Sequence, residues 1–180
     1  MKENLKLGAT LLVITAIAGL ILAFAYDITR APIEAKAKED QAAALKVVLA
    51  ADEFEDLNVE GVENILAIFE AKTGGETTGH VFNVIAKGGY GGDIELMVGI
   101  NTDGTLSGMT VLKQSETPGL GTKATEPGFT DQFNGMSSEK ELSVGSDIQA
   151  VTGATITSKA VTSGINTAIN YYNTNLKGAK

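Results

Sequence analysis

The sequence predicts an α+β protein: an N-terminal transmembrane helix, then a single domain in which helices pack on an antiparallel sheet. Three observations carry that prediction. Residues 7 to 26, "LGATLLVITAIAGLILAFAY", contain no charge. In "DIELMVGI", Ile94, Leu96, Val98 and Ile100 point one way while Glu95 and Met97 point the other, the period of a strand. Val161, Ile165, Ala168, Ile169 and Tyr172 recur at the spacing of one helix face.

Composition narrows the function classes. The chain has 180 residues, room for one ordinary domain and a short extra segment. Hydrophobic residues at 43% against 20% charged, with only 3 prolines, belong to a folded chain. A net charge of −8 withholds the phosphate attraction that nucleic-acid binding needs, so no nucleic-acid partner is expected. Cysteine is absent, which excludes a cysteine-ligated iron–sulfur cluster, a thiolate nucleophile and a disulfide. The single histidine, His80, rules out a multi-histidine zinc or haem site, and no metal site is expected. In "TTGHVFNV" it reads as a surface or strand-end residue.

At about 1.5 Å per residue, a helix over Leu7 to Tyr26 spans roughly 30 Å, the thickness of a bilayer's hydrocarbon core. Ala23, Phe24 and Ala25, after the basic start at Lys2 and Lys6, also match a signal-cleavage pattern. The apolar run outlasts a signal's core, however, and reads as an uncleaved anchor. Lys2 and Lys6 precede it and Arg30, Lys36 and Lys38 follow it, so charge leaves its orientation open. Residues 1–26 are taken as tip and anchor, 27–50 as a helical stalk, and 51–180 as the domain. Past Pro32 the stalk is rich in Ala, Lys and Glu, and Leu45, Val48 and Leu49 form a face that docks on the domain.

Within the domain, "GHVFNVIAKGG" reads as a strand from Gly79. Two further strands flank "NTDG", residues 101 to 104, whose Asp-Gly chemistry closes a hairpin. The terminal helix is expected from about Ser158 to Tyr172, with Lys177 and Gly178 just beyond it.

Several short motifs fail on context. "SSEK" at 137 to 140 and "KTG" at 72 to 74 stand in the reverse of the order that penicillin-binding chemistry requires. "GLGTKA" follows "ETP" rather than a strand, so it is no dinucleotide fingerprint. Two stretches remain. In "SETPGLGTK", Pro118 and Gly119 are the natural centre of a type II turn, and Gly121 permits a close backbone approach. Leu120 is thereby held out on a tight loop, unless the stretch is a plain connection with an incidental leucine. In "VTGATITSKAV", Thr152, Thr155, Thr157 and Ser158 crowd together with no base beside them. Gly153 allows a sharp turn before the helix. The free N–H groups of that helix then favour an anion beside Thr155, with Lys159 adding charge. A Thr/Ser cap with nothing bound is the alternative.

"GYGGDIELMVGI", "ETPGLG" and "TGATITS", in this order, resemble the FMN-binding domain family. Within it the chain is similar to the G subunits of Rnf-type electron-transport complexes, and to the C subunits of sodium-translocating NADH:quinone reductases. The resemblance implies a covalent FMN, transferred from FAD by a dedicated flavin transferase and joined through its phosphate to Thr155. It implies a cofactor site made of Thr152, Gly153, Ala154, Thr157, Ser158 and Lys159 around that link. Glu116, Thr117, Gly119, Leu120 and Gly121 line it, with Leu120 touching the ring. It implies no turnover by the chain alone, and partnership with the other subunits of a complex that couples ferredoxin:NAD⁺ electron transfer to Na⁺ or H⁺ transport. The anchor then lies in membrane lipid of the cytoplasmic membrane, with the tip inside and the domain on the extracytoplasmic face. Two positions depart from the pattern. Gln149 replaces an acid, with Asp147 two residues earlier, and Gln114 stands where many relatives carry histidine. A subunit of another flavin-bearing membrane reductase, or an unmodified anchored binding module, are the alternatives.

Overall fold

The computed structural model describes residues 2–59 and 61–178. Residues up to Asp40 and residues from Gln41 onward form two separate compact units. Helix α1 (Lys2–Val48) supplies all the described residues of the first unit and begins the second. Its apolar stretch has a mean hydropathy of 2.5 and is not buried, which fits a single membrane pass.

The stalk helix does not start past Pro32: α1 carries Pro32 in its interior. The lost donor costs about 3 kcal/mol. The i,i+4 pairs Arg30–Glu34 (2.7 Å) and Lys36–Asp40 (2.9 Å) return only a few tenths of a kcal/mol each. Length carries the helix on, because propagation from either side needs no second nucleus.

The second unit is built on a five-stranded antiparallel meander in chain order. Its strands are β1 (Glu53–Asp56), β2 (Ile65–Thr73), β3 (Glu76–Ala86), β4 (Ile94–Asn101) and β5 (Leu106–Lys113). The β4–β5 hairpin lies where its alternation and Asp-Gly loop place it. β3 starts three residues before the expected Gly79, because Gly74 and Gly75, with φ of 61° and 85°, close a two-residue turn that pairs Thr73 with Glu76. β1 and β2 are strands that alternation does not reveal. β2 reads "ILAIFEAKT", an apolar run with Ile68 and Phe69 both buried, so it lacks a polar face.

Both faces of the sheet are covered. Phe82, Val84, Leu96, Val98 and Ile100 pack with helix α3 (Thr155–Tyr171), through the buried Val161, Ile165, Ala168 and Ile169. Phe69, Ala71, Val81 and Met97 on the reverse face pack with Ala44, Leu45, Val48 and Leu49 of α1 and its end. Ser107 Oγ donates to the Val48 carbonyl at 2.8 Å, satisfying one orphan acceptor of that helix terminus. Between β5 and α3, the short helix α2 (Pro127–Thr130) and the turn after it bury Phe129 and Phe133 edge to face, 5.5 Å apart.

α3 begins three residues earlier than expected, at Thr155, and passes through a π-turn (Tyr172–Leu176) before Gly178 takes a φ of 87°. The topology brings three connections to one end of the domain: the loop between β3 and β4, the segment after β5, and the start of α3.

Candidate functional site

The segment after β5 folds as its residues dictate. Leu120 N–H donates to the Thr117 carbonyl at 3.1 Å across Pro118 and Gly119, whose φ is 76°. Leu120 projects from this turn and is 46% exposed. Gly121 comes next, and a Cβ there would meet the Glu116 carboxylate and lie 3.0 Å from Thr157 Oγ1. Close approach, rather than an unusual φ, is what requires glycine at that position.

Glu116 joins the three connections. It is only 6% exposed. Its Oε1 accepts from Gly91 N–H of the β3–β4 loop at 3.0 Å, and its Oε2 accepts from Thr157 Oγ1 of α3 at 2.7 Å. Gln114 Oε1 in turn accepts from the Glu116 amide at 2.5 Å, so this glutamine folds back onto the motif's backbone.

The start of α3 has no side-chain cap: Ala154 occupies the N-cap position. This excludes the Thr/Ser cap and leaves the first-turn N–H groups of Thr155, Ile156 and Thr157 outside the helical ladder. Ser158 is fully buried behind them, where its Oγ accepts from Val151 N–H (2.9 Å) and donates to the Ala154 carbonyl (3.0 Å). The segment leading in is held from the other side. Gln132 Oε1 accepts from Gln149 N–H at 2.8 Å, and Gln132 Nε2 donates to the Gln149 carbonyl at 3.2 Å. Asp147 is tied to its own loop by Lys140 Nζ (2.8 Å) and Ser143 N–H (3.0 Å), and the lysine above all holds its carboxyl below the usual range.

These elements enclose a cavity of about 480 Å³. Eight of the residues singled out in the sequence line it: Glu116, Thr117, Leu120 and Gly121 on one side, Gly153, Ala154, Thr155 and Thr157 on the other. Four do not. Gly119 is at the turn's exposed tip, Thr152 and Lys159 are exposed, and Ser158 lies behind the helix start. Two wall residues were not singled out, Tyr90 at 72% and Ile156 at 54% exposure. For Tyr90 a signal exists: an aromatic flanked on both sides by paired glycines, "GGYGG", is presented rather than buried.

FMN suits this cavity. Its volume lies in the range of small-molecule sites. Tyr90, Leu120 and Ile156 supply apolar surface for a ring system. The uncapped helix start supplies donors and a positive dipole end for a phosphate. No cluster of three or more His, Cys, Asp or Glu placed to hold a metal ion occurs among the described residues.

Comparison with known proteins agrees with the chemistry of the cavity. The FMN-binding domain family matches residues 89–170, which include all three walls. Over 95% of its length the chain is 37% identical to the G subunit of the Na(+)-translocating ferredoxin:NAD(+) oxidoreductase complex of Acetobacterium woodii, covering 92% of that protein. The chain belongs to the G-subunit family of Rnf-type ion-translocating oxidoreductase complexes.

Other G subunits are similar to nearly the same extent. That of the proton-translocating ferredoxin:NAD(+) oxidoreductase complex of Clostridium ljungdahlii is 37% identical over 85% of this chain and 83% of its own. Among solved structures, the C subunit of the Na(+)-translocating NADH-quinone reductase of Parabacteroides distasonis superposes with a TM-score of 0.55 at 20% identity, covering 76% of this chain and 92% of that one. The Shewanella oneidensis NqrC structure gives 0.51 at 19% identity, over 72% and 70%. These likenesses show that this chain has the same fold as those two C subunits.

Proposed function

We propose that this chain is the membrane-anchored electron-transfer subunit of an Rnf-type complex, carrying one FMN through a phosphoester on Thr155. The observation that supports the site most is the sorting of four hydroxyls around the start of α3. Thr157 and Ser158 are buried and committed to internal hydrogen bonds. Thr152 is exposed but outside the cavity wall. Of the four, Thr155 alone is both exposed and in the wall.

Thr155 is also the first residue of α3, where the negative charge left on a phosphodiester meets the unpaired N–H groups. Such a placement stabilises an anion by about 0.3–1 kcal/mol at an exposed helix end. No base stands beside the Thr155 hydroxyl in its own segment, so a separate flavin transferase drives the attachment. Thr155 Oγ becomes bonded to the FMN phosphorus of FAD, the bond from that phosphorus to the AMP portion breaks, AMP departs, and the hydroxyl proton goes to solvent.

FMN, once bound, supplies reversible electron transfer. The chain's own share is to hold and orient it. Tyr90, Leu120 and Ile156 form the apolar walls, while Gly121 and Gly153 let backbone approach. The chain alone has no turnover; electrons pass to and from neighbouring subunits. The A. woodii relative is named for Na⁺ and the C. ljungdahlii relative for H⁺. What carries over is their shared part, ferredoxin:NAD⁺ electron transfer coupled to cation transport. In this reading the domain stands on the extracytoplasmic face, with lipid around Leu7 to Tyr26.

The test is attachment itself. Full-length protein co-expressed with the transferase gives a fluorescent band on a denaturing gel and an intact mass increased by one FMN-phosphoryl adduct. Thr155→Ala abolishes both, and Thr152→Ala retains both. A band surviving in Thr155→Ala overturns the site.

A further inference from the structure

Glu116 carries a feature that clasping three loops does not require: a buried carboxylate with no cation beside it. None of the ion pairs among the described residues involves it. Its two oxygens receive hydrogen bonds from Gly91 N–H and Thr157 Oγ1, and its side chain forms part of the cavity wall. A neutral amide of the same shape would serve the clasp as well. In a glutamine, Oε1 accepts from the Gly91 amide while Nε2 donates to Thr157 Oγ1. What glutamate adds is charge, and it adds it where water is largely excluded and its field is weakly screened.

We propose that the Glu116 carboxylate sets the reduction potential of the flavin held in this cavity, keeping it low. The inference rests on FMN occupying the cavity, and not on how it is attached. Reduction places additional electron density on the ring system, and a fixed negative charge in the wall opposes that. The oxidised form is favoured and the midpoint potential falls. The first-turn N–H groups of α3 act in the opposite sense, but the phosphate takes up that end of the dipole. Glu116 is therefore a positioning and potential-setting residue rather than a catalytic one.

The measurement is the midpoint potential of the flavin in full-length protein purified in detergent. It is titrated with dithionite in the presence of mediator dyes, with flavin content determined separately after denaturation. Glu116→Gln is expected to hold wild-type amounts of flavin at a higher midpoint potential. Thr157→Val, which removes a hydrogen bond to the carboxylate but keeps the charge, is expected to show no rise. An unchanged or lower potential in Glu116→Gln overturns the proposal, and so does a rise that Thr157→Val reproduces, because loosening of the clasp then explains it. Loss of flavin from Glu116→Gln also overturns it, since the carboxylate then serves retention. If wild-type protein releases its flavin on denaturation, the link to Thr155 fails while the potential of bound FMN remains measurable, so the two readings fail separately.

Discussion

Gly119 and Gly121 stand two positions apart in one loop, yet glycine is needed at each for a different reason. A Cβ at Gly119 meets nothing within 4 Å, but the φ of 76° penalises any L side chain. Gly119→Ala should therefore cost about 1–2 kcal/mol of stability through the backbone alone. Gly121→Ala should cost a similar amount, about 1–3 kcal/mol, by overpacking against Glu116 and Thr157. Urea titrations should place the two variants close together. Flavin loading should separate them, falling only in Gly121→Ala, and equal loading would show that the Glu116 clasp does not shape the cavity. Gln132 offers another test at this scale. Gln132→Ala leaves the Gln149 amide and carbonyl without their partner, at a cost of roughly 1 kcal/mol, and should raise hydrogen exchange at Gln149. Of all this, the Pro118–Gly119 turn was legible in the sequence because its chemistry is local. The partners of Glu116 lie 25 and 41 residues away, and nothing in the motif names them.

Among the elements, α3 shows how far periodicity reaches. Its buried face was correctly drawn from the spacing of Val161, Ile165, Ala168 and Ile169. Ile165→Ala, at a position with no exposure, should cost about 2–5 kcal/mol in a denaturant titration. Its start was not legible, because Thr-Ile-Thr has modest helix propensity and the N-cap position falls to an alanine. β2 and β3 carry a pH dependence. His80 pairs across the strands with Glu70, and the Tyr172 ring lies 6.0 Å from its own. Burial pushes the imidazole's pKa below its usual value, with Glu70 pulling the other way. As pH falls through about 6.5, the unfolded chain gains a proton that the folded chain resists, so stability decreases. Glu70, held below the usual carboxyl range by Thr77 first and then Lys72, acts in the same direction at more acid pH. Thermal melts should thus show a falling Tm from about pH 7.5 to 5.5, and His80→Gln should flatten that slope. An identical slope in the variant would remove His80 from the account.

At the scale of the whole molecule, the unit beginning at Gln41 holds its own core on both sheet faces. A fragment of residues 41–180 should unfold in one cooperative thermal transition. A fragment of 51–180 lacks Ala44, Leu45, Val48 and Leu49 and uncovers Phe69, Ala71, Val81 and Met97. It should melt lower and bind a hydrophobic dye, as partly packed domains do. Equal melting of the two fragments would mean that the end of α1 contributes little.

The sequence by itself determined what depends on neighbours in the chain: a charge-free span, an Asp-Gly hairpin, a Pro-Gly turn, one apolar helix face, and a cluster of hydroxyls around a Gly-Ala-Thr stretch. Only the tertiary structure decided which of four hydroxyls faces the cavity, which loops one buried glutamate ties together, and that Tyr90 and Ile156 complete the walls. Turn chemistry and periodicity are short-range and leave their mark on adjacent residues. A cavity is made where distant segments meet, and the energy of that meeting is spread over contacts that no single stretch contains.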